Sequence, residues 1–395
     1  MRSKKIEEIF LNNLFECEGY ACHIERDIEN VAPGLPPKTT LKIYADKNRP
    51  LHYSYAPRSG LNLTGTVGSA IDKNILGKLL AIPDENIEAH IDFFETYGFL
   101  LPVSYDSYES IDAADAIELV NRIKATVFLM NSIAAQKNYK NILINIAYLL
   151  YNDPLTVSLL DGEYSSCLHE FTSLLHSYND YPDINSDAVA YNTGKYNVFD
   201  SMLKNVNPID IDFFNSVRSG NSNSLPGSQS TRFKHLFAMY TGMKDADPSL
   251  RLIIDFFYNF QMSRGIFNNV PFKHITYHSK LSETAFTNEM QEALINIAHS
   301  VIAAEINHNI QGIHPFYNPG GLAPTWKVNT LMQALYFSIF YMKPEVEIYK
   351  ECENPNCKRD RFFLIEATRT NKKYCCQQCA NAAAGQRYRS RKLDK

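Results

Sequence analysis

The residues best equipped for chemistry cluster near one end of the chain. Cys352, Cys357, Cys375, Cys376 and Cys379 fall within 28 residues, whereas Cys17, Cys22 and Cys167 are scattered. Two close cysteine pairs can surround one tetrahedral ion, because each pair chelates from a single local turn. Cys352-x4-Cys357 is the first pair, with the turn-forming run Glu353-Asn354-Pro355-Asn356 between its members. Cys375-x3-Cys379 is the second, and Cys376-x2-Cys379 is a legal alternative. Cys375 is preferred because it follows Tyr374 as a hairpin strand would deliver it. Cys376 is then left near a helix N-cap, where Ser often sits. A closed four-thiolate site keeps no open coordination position, so the expected cofactor is one structural Zn2+. The competing reading, five unligated thiols in a basic segment, would leave them exposed and oxidation-prone.

The elements that must position these thiols are short. Arg361 to Ile365 reads as a strand, Thr368 to Lys373 as a turn back, and Tyr374 leads into Cys375. A helix rich in strong formers (Gln377, Gln378, Ala380, Ala382, Ala383, Ala384) starts nearby. Knuckle, hairpin, helix is the order of a treble-clef-like finger, with Cys379 in the first helical turn.

The run Cys352…Cys357…Phe363…Lys373-Tyr374-Cys375…Cys379-Ala380-Asn381-Ala382…Arg387-Tyr388-Arg389-Ser390-Arg391-Lys392 resembles the C-terminal finger of the CGNR zinc-finger family. Those are bacterial proteins with a mostly helical N-terminal region, generally regarded as transcription regulators. Of the name-giving motif, Cys379 and Asn381 are kept, while Ala380 and Ala382 stand where the family has Gly and Arg. The resemblance implies DNA binding and transcription regulation, and no particular ligand.

Charge patterning points the same way. The 395 residues carry a net charge of −4, but residues 343–395 hold 13 Lys/Arg against 7 Asp/Glu, leaving −10 on the rest. Arg387 and Arg391 share a helix face, Arg389 and Lys392 widen it, and Tyr388 can stack on a base. These five are the candidate nucleic-acid contacts, with DNA favoured over RNA, since long cations neutralise phosphates and Arg reads guanine in the major groove. Cations near a helix C-terminus also complement the macrodipole and offset thiolate charge. The alternative is therefore a zinc-dependent protein–protein interaction module.

The remaining chain reads as mainly α with a small N-terminal antiparallel β element. Short β-type runs occur at 41–44, 51–55 and 61–64, punctuated by Pro50 and Pro57-Arg58-Ser59-Gly60. Helical spacing follows at 84–97, 110–136, 142–151, 249–262, 282–309 and 328–340. Ser219 to Ser230 reads as a loop, and Gly312 to Pro324 as a Gly/Pro loop. Three segments result: residues 1–110 as an α+β region, 111–342 as a helical body that senses a small-molecule or protein effector or forms a homodimer, and 343–395 as the finger.

Other chemical candidates are weaker. His169-Glu170 and His176 are too widely spaced for a zincin helix. Glu305-x2-His308 lacks the second Glu-x2-His of a di-iron site. Cys17-x4-Cys22-His23 has no partner pair and reads as an ordinary N-terminal helix. Phosphate-loop, dinucleotide and nucleophile-elbow motifs are absent, so no catalytic residue is assigned and an enzyme is not expected. The basic start has no apolar run behind it, and no apolar stretch is long enough to span a bilayer. A cytoplasmic protein with reduced thiols is expected, with no membrane partner.

Overall fold

The computed structural model describes residues 14–29, 37–57, 59–64, 70–134, 137–160, 162–177, 203, 227–243, 245–277, 286–318, 323–342, 346–357, 359–369 and 371–393. The chain divides into two compact units, each drawn from separate stretches. The first comprises Met1–Ala135, Leu155–Ser166 and Glu305–Lys395, the second Gln136–Pro154 and Cys167–Ala304.

The first unit is built on a seven-stranded sheet. In the strand Phe15–Glu29, Phe15 and Cys17 are buried while Glu16 and Glu18 are exposed. That is the two-residue alternation of a sheet with one face on a core. It pairs antiparallel with the long strand Lys38–Ala56, whose Pro50 sits where the register breaks: Tyr20 faces Pro50, but Cys22 faces Ala45. A proline has no N–H for the ladder, so an irregularity is where a strand tolerates one. Beyond the break, Lys38–Ala56 pairs with Gly60–Thr64 through its second half and with Glu109–Asp112 through its first. Ala70–Asp72 extends the Gly60–Thr64 edge. On the other side, the hairpin of His314–Asn318 and Ala323–Val328 lies beside Phe15–Glu29, with Cys17 parallel to Val328.

These pairings overturn the mainly-α expectation. Among the described residues helix accounts for 46% and strand for 28%, and the sheet joins strands from residues 15–112 with strands from residues 314–328. The segment around Cys17 and Cys22 is a strand, not a helix, and much of the supposed Gly/Pro loop is a hairpin. Helical periodicity could not reveal either, because Pro315 and Pro324 resemble loop punctuation and lie in the outermost hairpin.

The helices of the first unit match their apolar spacing. Ile87–Tyr97 ends at Gly98 with φ 77°, a conformation that favours glycine. Its cap is Asn86, whose side chain accepts from the Ala89 N–H. The sequence reads as a helix from residue 84, where Asp84 could cap it; Asp84 faces Lys124, whose fully buried ammonium donates to Asp84 Oδ1 at 3.0 Å and to the Ile82 carbonyl at 2.6 Å. Lys124 belongs to the helix Ala113–Ala134. Thr330 caps Leu331–Phe340 through the Gln333 N–H, and Phe337 from that helix meets Phe15 at 4.8 Å between ring centroids.

The second unit is mostly helical, with Tyr139–Tyr151, Glu170–Ser177, Gly227–Gly242, Pro248–Arg264 and most of Asn288–Asn309, and one short strand pair, Phe267–Asn269 with Thr276–Tyr277. Its core is aromatic. The Tyr151 ring lies 5.0–5.6 Å from Phe171, Phe257 and Phe267, and its hydroxyl accepts from Gln261 Nε2 at 2.8 Å. Of the Ser219–Ser230 segment, residues 219–226 lie outside the described residues and 227–230 open a helix. Among the described residues no helix is long and apolar enough to cross a membrane.

Candidate metal centre

The finger begins with the strand Glu347–Glu351, which pairs antiparallel with Phe362–Glu366. Alternation directs Ile348, Phe363 and Ile365 into a small core that also holds Cys352 and Cys379. The hairpin therefore encloses the first cysteine pair. This corrects the expected order: strand, knuckle, strand, helix replaces knuckle, hairpin, helix. Residues 371–376 form no second hairpin strand, and Phe362–Glu366 pairs with the strand before the knuckle.

Local chemistry shapes the knuckle. The Asn354 side chain accepts from the Asn356 N–H at 3.3 Å, and the Cys357 N–H donates to the Asn354 carbonyl at 3.0 Å. Asx turns of this kind fold a short Asn-Pro-Asn run tightly. Arg361 braces the turn from outside. Its Nη1 donates to the carbonyls of Asn354 and Pro355 at 3.1 and 3.2 Å, while its Nη2 meets Glu351 at 2.6 Å. Neither the buried Asn354 nor Arg361 stood out as a site residue by type. The only available signal was their position, inside and just after the knuckle.

The sulfurs of Cys352, Cys357, Cys375 and Cys379 all lie within 4.8 Å of one another and could hold a metal ion. Cys357–Cys375, Cys375–Cys379 and Cys379–Cys357 are separated by 3.6, 3.5 and 3.7 Å. A disulfide requires about 2.05 Å, and all eight cysteines are free. A tetrahedron with metal–sulfur bonds of about 2.3 Å has edges of about 3.8 Å, so the four sulfurs already approximate such a shell. Cys376 lies beside the group, 3.8 Å from the Cys375 sulfur.

Electrostatics within the group is divided. Burial, then the neighbouring thiols of Cys379, Cys357, Cys376 and Cys352, pushes the Cys375 thiol well up. Burial also opposes ionisation of Cys352, but the N–H groups of Cys375 and Asn354, together with the thiols of Cys357 and Cys375, hold that thiol below its ordinary value. Crowded sulfurs ionise together only if a cation compensates them, which is the condition a metal meets.

Helix Gln377–Leu393 carries the candidate basic residues. Arg387, Tyr388 and Arg389 are exposed, and Arg387 Nε donates to the Ala383 carbonyl at 3.4 Å. Arg391 and Lys392 belong to the same helix, but their side chains lie outside the described residues. The other candidates fall elsewhere. Cys17 and Cys22 are buried in the sheet, and burial raises both thiols to about 12, as for inert core cysteines. His176 pairs with Asp153 and the Tyr151 carbonyl, and His308 with the Ser165 carbonyl at 2.7 Å.

Comparison of the chain with family models, with curated proteins and with solved structures finds no match.

Proposed function

We propose that residues 343–395 are a structural zinc finger that presents helix Gln377–Leu393 to nucleic acid, DNA in preference to RNA, in a regulator of transcription. Zinc is favoured over other ions by the all-sulfur donor set, tetrahedral spacing and the absence of an open position. Cys375 serves as the third ligand and Cys376 stands outside the shell. The likeness of residues 352–392 to the CGNR-type finger supports the same role.

One observation carries the nucleic-acid reading. Arg361, Arg369 and Lys373 are each paired with a carboxylate, Glu351, Glu366 and Glu353 respectively. Arg387 and Arg389 are exposed, and among the described residues no carboxylate lies within 4.0 Å of either. Exposed cations beside the exposed ring of Tyr388 suit phosphates and a stacked base.

The test is fluorescence polarisation with duplex DNA and single-stranded RNA over a salt series. The expected result is binding at low salt that weakens steadily as salt rises, tighter for DNA. No binding at low salt overturns the proposal. Elemental analysis accompanies it, with about one zinc per chain expected and none after Cys352→Ser/Cys357→Ser.

A second reading, a protein-interaction module, is favoured by the hydrogen bonds that tie the hairpin to other parts of the first unit. Asn74 Nδ2 donates to the Phe362 carbonyl at 2.8 Å, as Asn131 does to Tyr349. Co-purification of a protein partner, lost on deleting 343–395, supports that reading. The effector or dimer contact of the remaining chain stays part of the proposal, tested by the oligomeric state in solution.

A further inference from the structure

Two cavities adjoin within the first unit, sharing Leu101, Pro102 and Thr330 in their walls. The larger, about 480 Å³, has the buried side chains of Leu101 and Met332 on its apolar side. Glu163, Tyr164, His308 and Gln311 form its polar side. The His308 Nε2 lies 2.7 Å from the Ser165 carbonyl, so the ring proton sits there and Nδ1 of the neutral imidazole is an acceptor. The Tyr164 hydroxyl donates to Asn309 Oδ1 at 2.8 Å and has no second proton to give. Glu163 is exposed, and its Oε2 accepts from the Ser158 hydroxyl at 3.4 Å. This wall is therefore rich in acceptors and suits a ligand that donates.

The smaller cavity, about 150 Å³, lies among Tyr20, Tyr53, Tyr97 and Tyr105, with the exposed Glu18 in its wall. Tyr20 and Tyr105 meet edge to face, at 84° and 5.0 Å between centroids. Tyrosine faces attract cations. Tyr105 already does so within the chain: Lys47 Nζ lies 4.9 Å from its ring centroid, with that charge offset by Asp106 at 2.9 Å. Among the described residues, each cavity has one carboxylate in its wall and neither has a Lys or Arg. An anion finds no charged partner in either, whereas a cation finds one in both.

We infer that the paired cavities bind a linear polyamine, with one ammonium at Glu163 and His308 and another at Glu18 among the tyrosines. The methylene run between them lies over Leu101 and Pro102, the apolar residues that both cavities share. Ammonium groups supply the donors that the walls lack, and each has three N–H to give. Charge, methylene, charge along the ligand thus matches carboxylate, apolar step, carboxylate along the walls. The site uses neither the four-sulfur group nor the basic helix, so it stands apart from the finger.

The experiment is isothermal titration calorimetry of spermidine into the full chain at physiological salt. Wild type is expected to show saturable binding to one site. Glu163→Gln and Glu18→Gln are each expected to weaken it about tenfold, the loss of one charged hydrogen-bonded contact. Glu85→Gln, at an exposed carboxylate that lines neither cavity, is expected to bind as wild type does. An uncharged diol of similar length is expected not to bind. Glu18 and Glu163 are exposed, and the melting temperature without ligand checks that each variant is folded. No saturable binding by wild type overturns the inference. So does unchanged affinity in either cavity variant, an equal loss in Glu85→Gln, or a diol that binds as well as spermidine.

Discussion

Asn131 and Tyr349 lie 218 positions apart and exchange two hydrogen bonds. Asn131 Nδ2 donates to the Tyr349 carbonyl at 2.9 Å, and the Tyr349 N–H donates to Asn131 Oδ1 at 3.0 Å. The amide thus imitates a strand neighbour for the finger's first strand, so one strand of the hairpin is satisfied by a helix side chain. Replacing Asn131 by Ala leaves both Tyr349 backbone groups without this partner, at a cost of about 1–3 kcal/mol for each one kept from water. A lowered denaturation midpoint is expected. Asn131→Asp keeps only the acceptor and should fall between the two, whereas equal midpoints for all three proteins would remove the clamp from the account.

Gly77 is the second point of close approach. A Cβ built there collides with the Asn74 side chain and with the Phe362 carbonyl, the same carbonyl that Asn74 Nδ2 engages. Backbone cannot yield as a flexible side chain would. Gly77→Ala should therefore destabilise the first unit by about 1–3 kcal/mol despite alanine's better helix propensity. Gly385, where an added Cβ meets nothing within 4 Å, supplies the control: Gly385→Ala should stabilise or leave stability unchanged in the same thermal melt.

Salt dependence reads the basic helix directly. Each phosphate contact in duplex DNA contributes about 0.9 to the magnitude of the slope of log K against log salt. Arg387→Ala/Arg389→Ala should reduce that magnitude by about 2 if both cations contact phosphate. Arg361→Ala, which breaks an internal pair with Glu351, should leave the slope unchanged while lowering the melting temperature.

His90 makes stability depend on acid. Burial, with the nearby Lys124 charge adding to it, holds this imidazole below its ordinary value of 6.5, and the hydrogen bond to the Asn86 carbonyl only partly opposes that. A histidine whose folded pKa is depressed binds its proton more readily when unfolded. Its contribution is therefore complete above pH 6.5 and is lost as pH falls from there toward the folded value. Stability measured from pH 7.5 to 5 should decline less steeply in His90→Gln than in wild type. Taking the difference between the two proteins cancels the acid sensitivity of the thiol site, which both share.

Much of the local structure was legible in the residues themselves. Apolar positions three and four apart located Ile87–Tyr97, Ala113–Ala134, Tyr139–Tyr151, Pro248–Arg264 and Leu331–Phe340. The paired spacing of Cys352, Cys357, Cys375 and Cys379 pointed to four sulfurs that do converge. Both signals are local: a helix closes its hydrogen bonds within one turn, and a knuckle folds over a few residues.

The sheet was decided by tertiary structure. Phe15–Glu29 is a strand because Lys38–Ala56 and Ala323–Val328 flank it, and a partner some 300 positions away leaves no mark in the local pattern. The position of the hairpin around the knuckle, and the seating of that hairpin on Asn74 and Asn131, are likewise set by pairing. Spacing alone left Cys375 and Cys376 as alternatives for the four-sulfur group. The fold distinguishes them: just before Gln377–Leu393, the Cys375 sulfur lies 3.6 and 3.5 Å from those of Cys357 and Cys379, while the Cys376 sulfur lies beside Cys375 at 3.8 Å. Residue types determined what chemistry was available to this chain, and long-range backbone pairing determined which of its atoms meet.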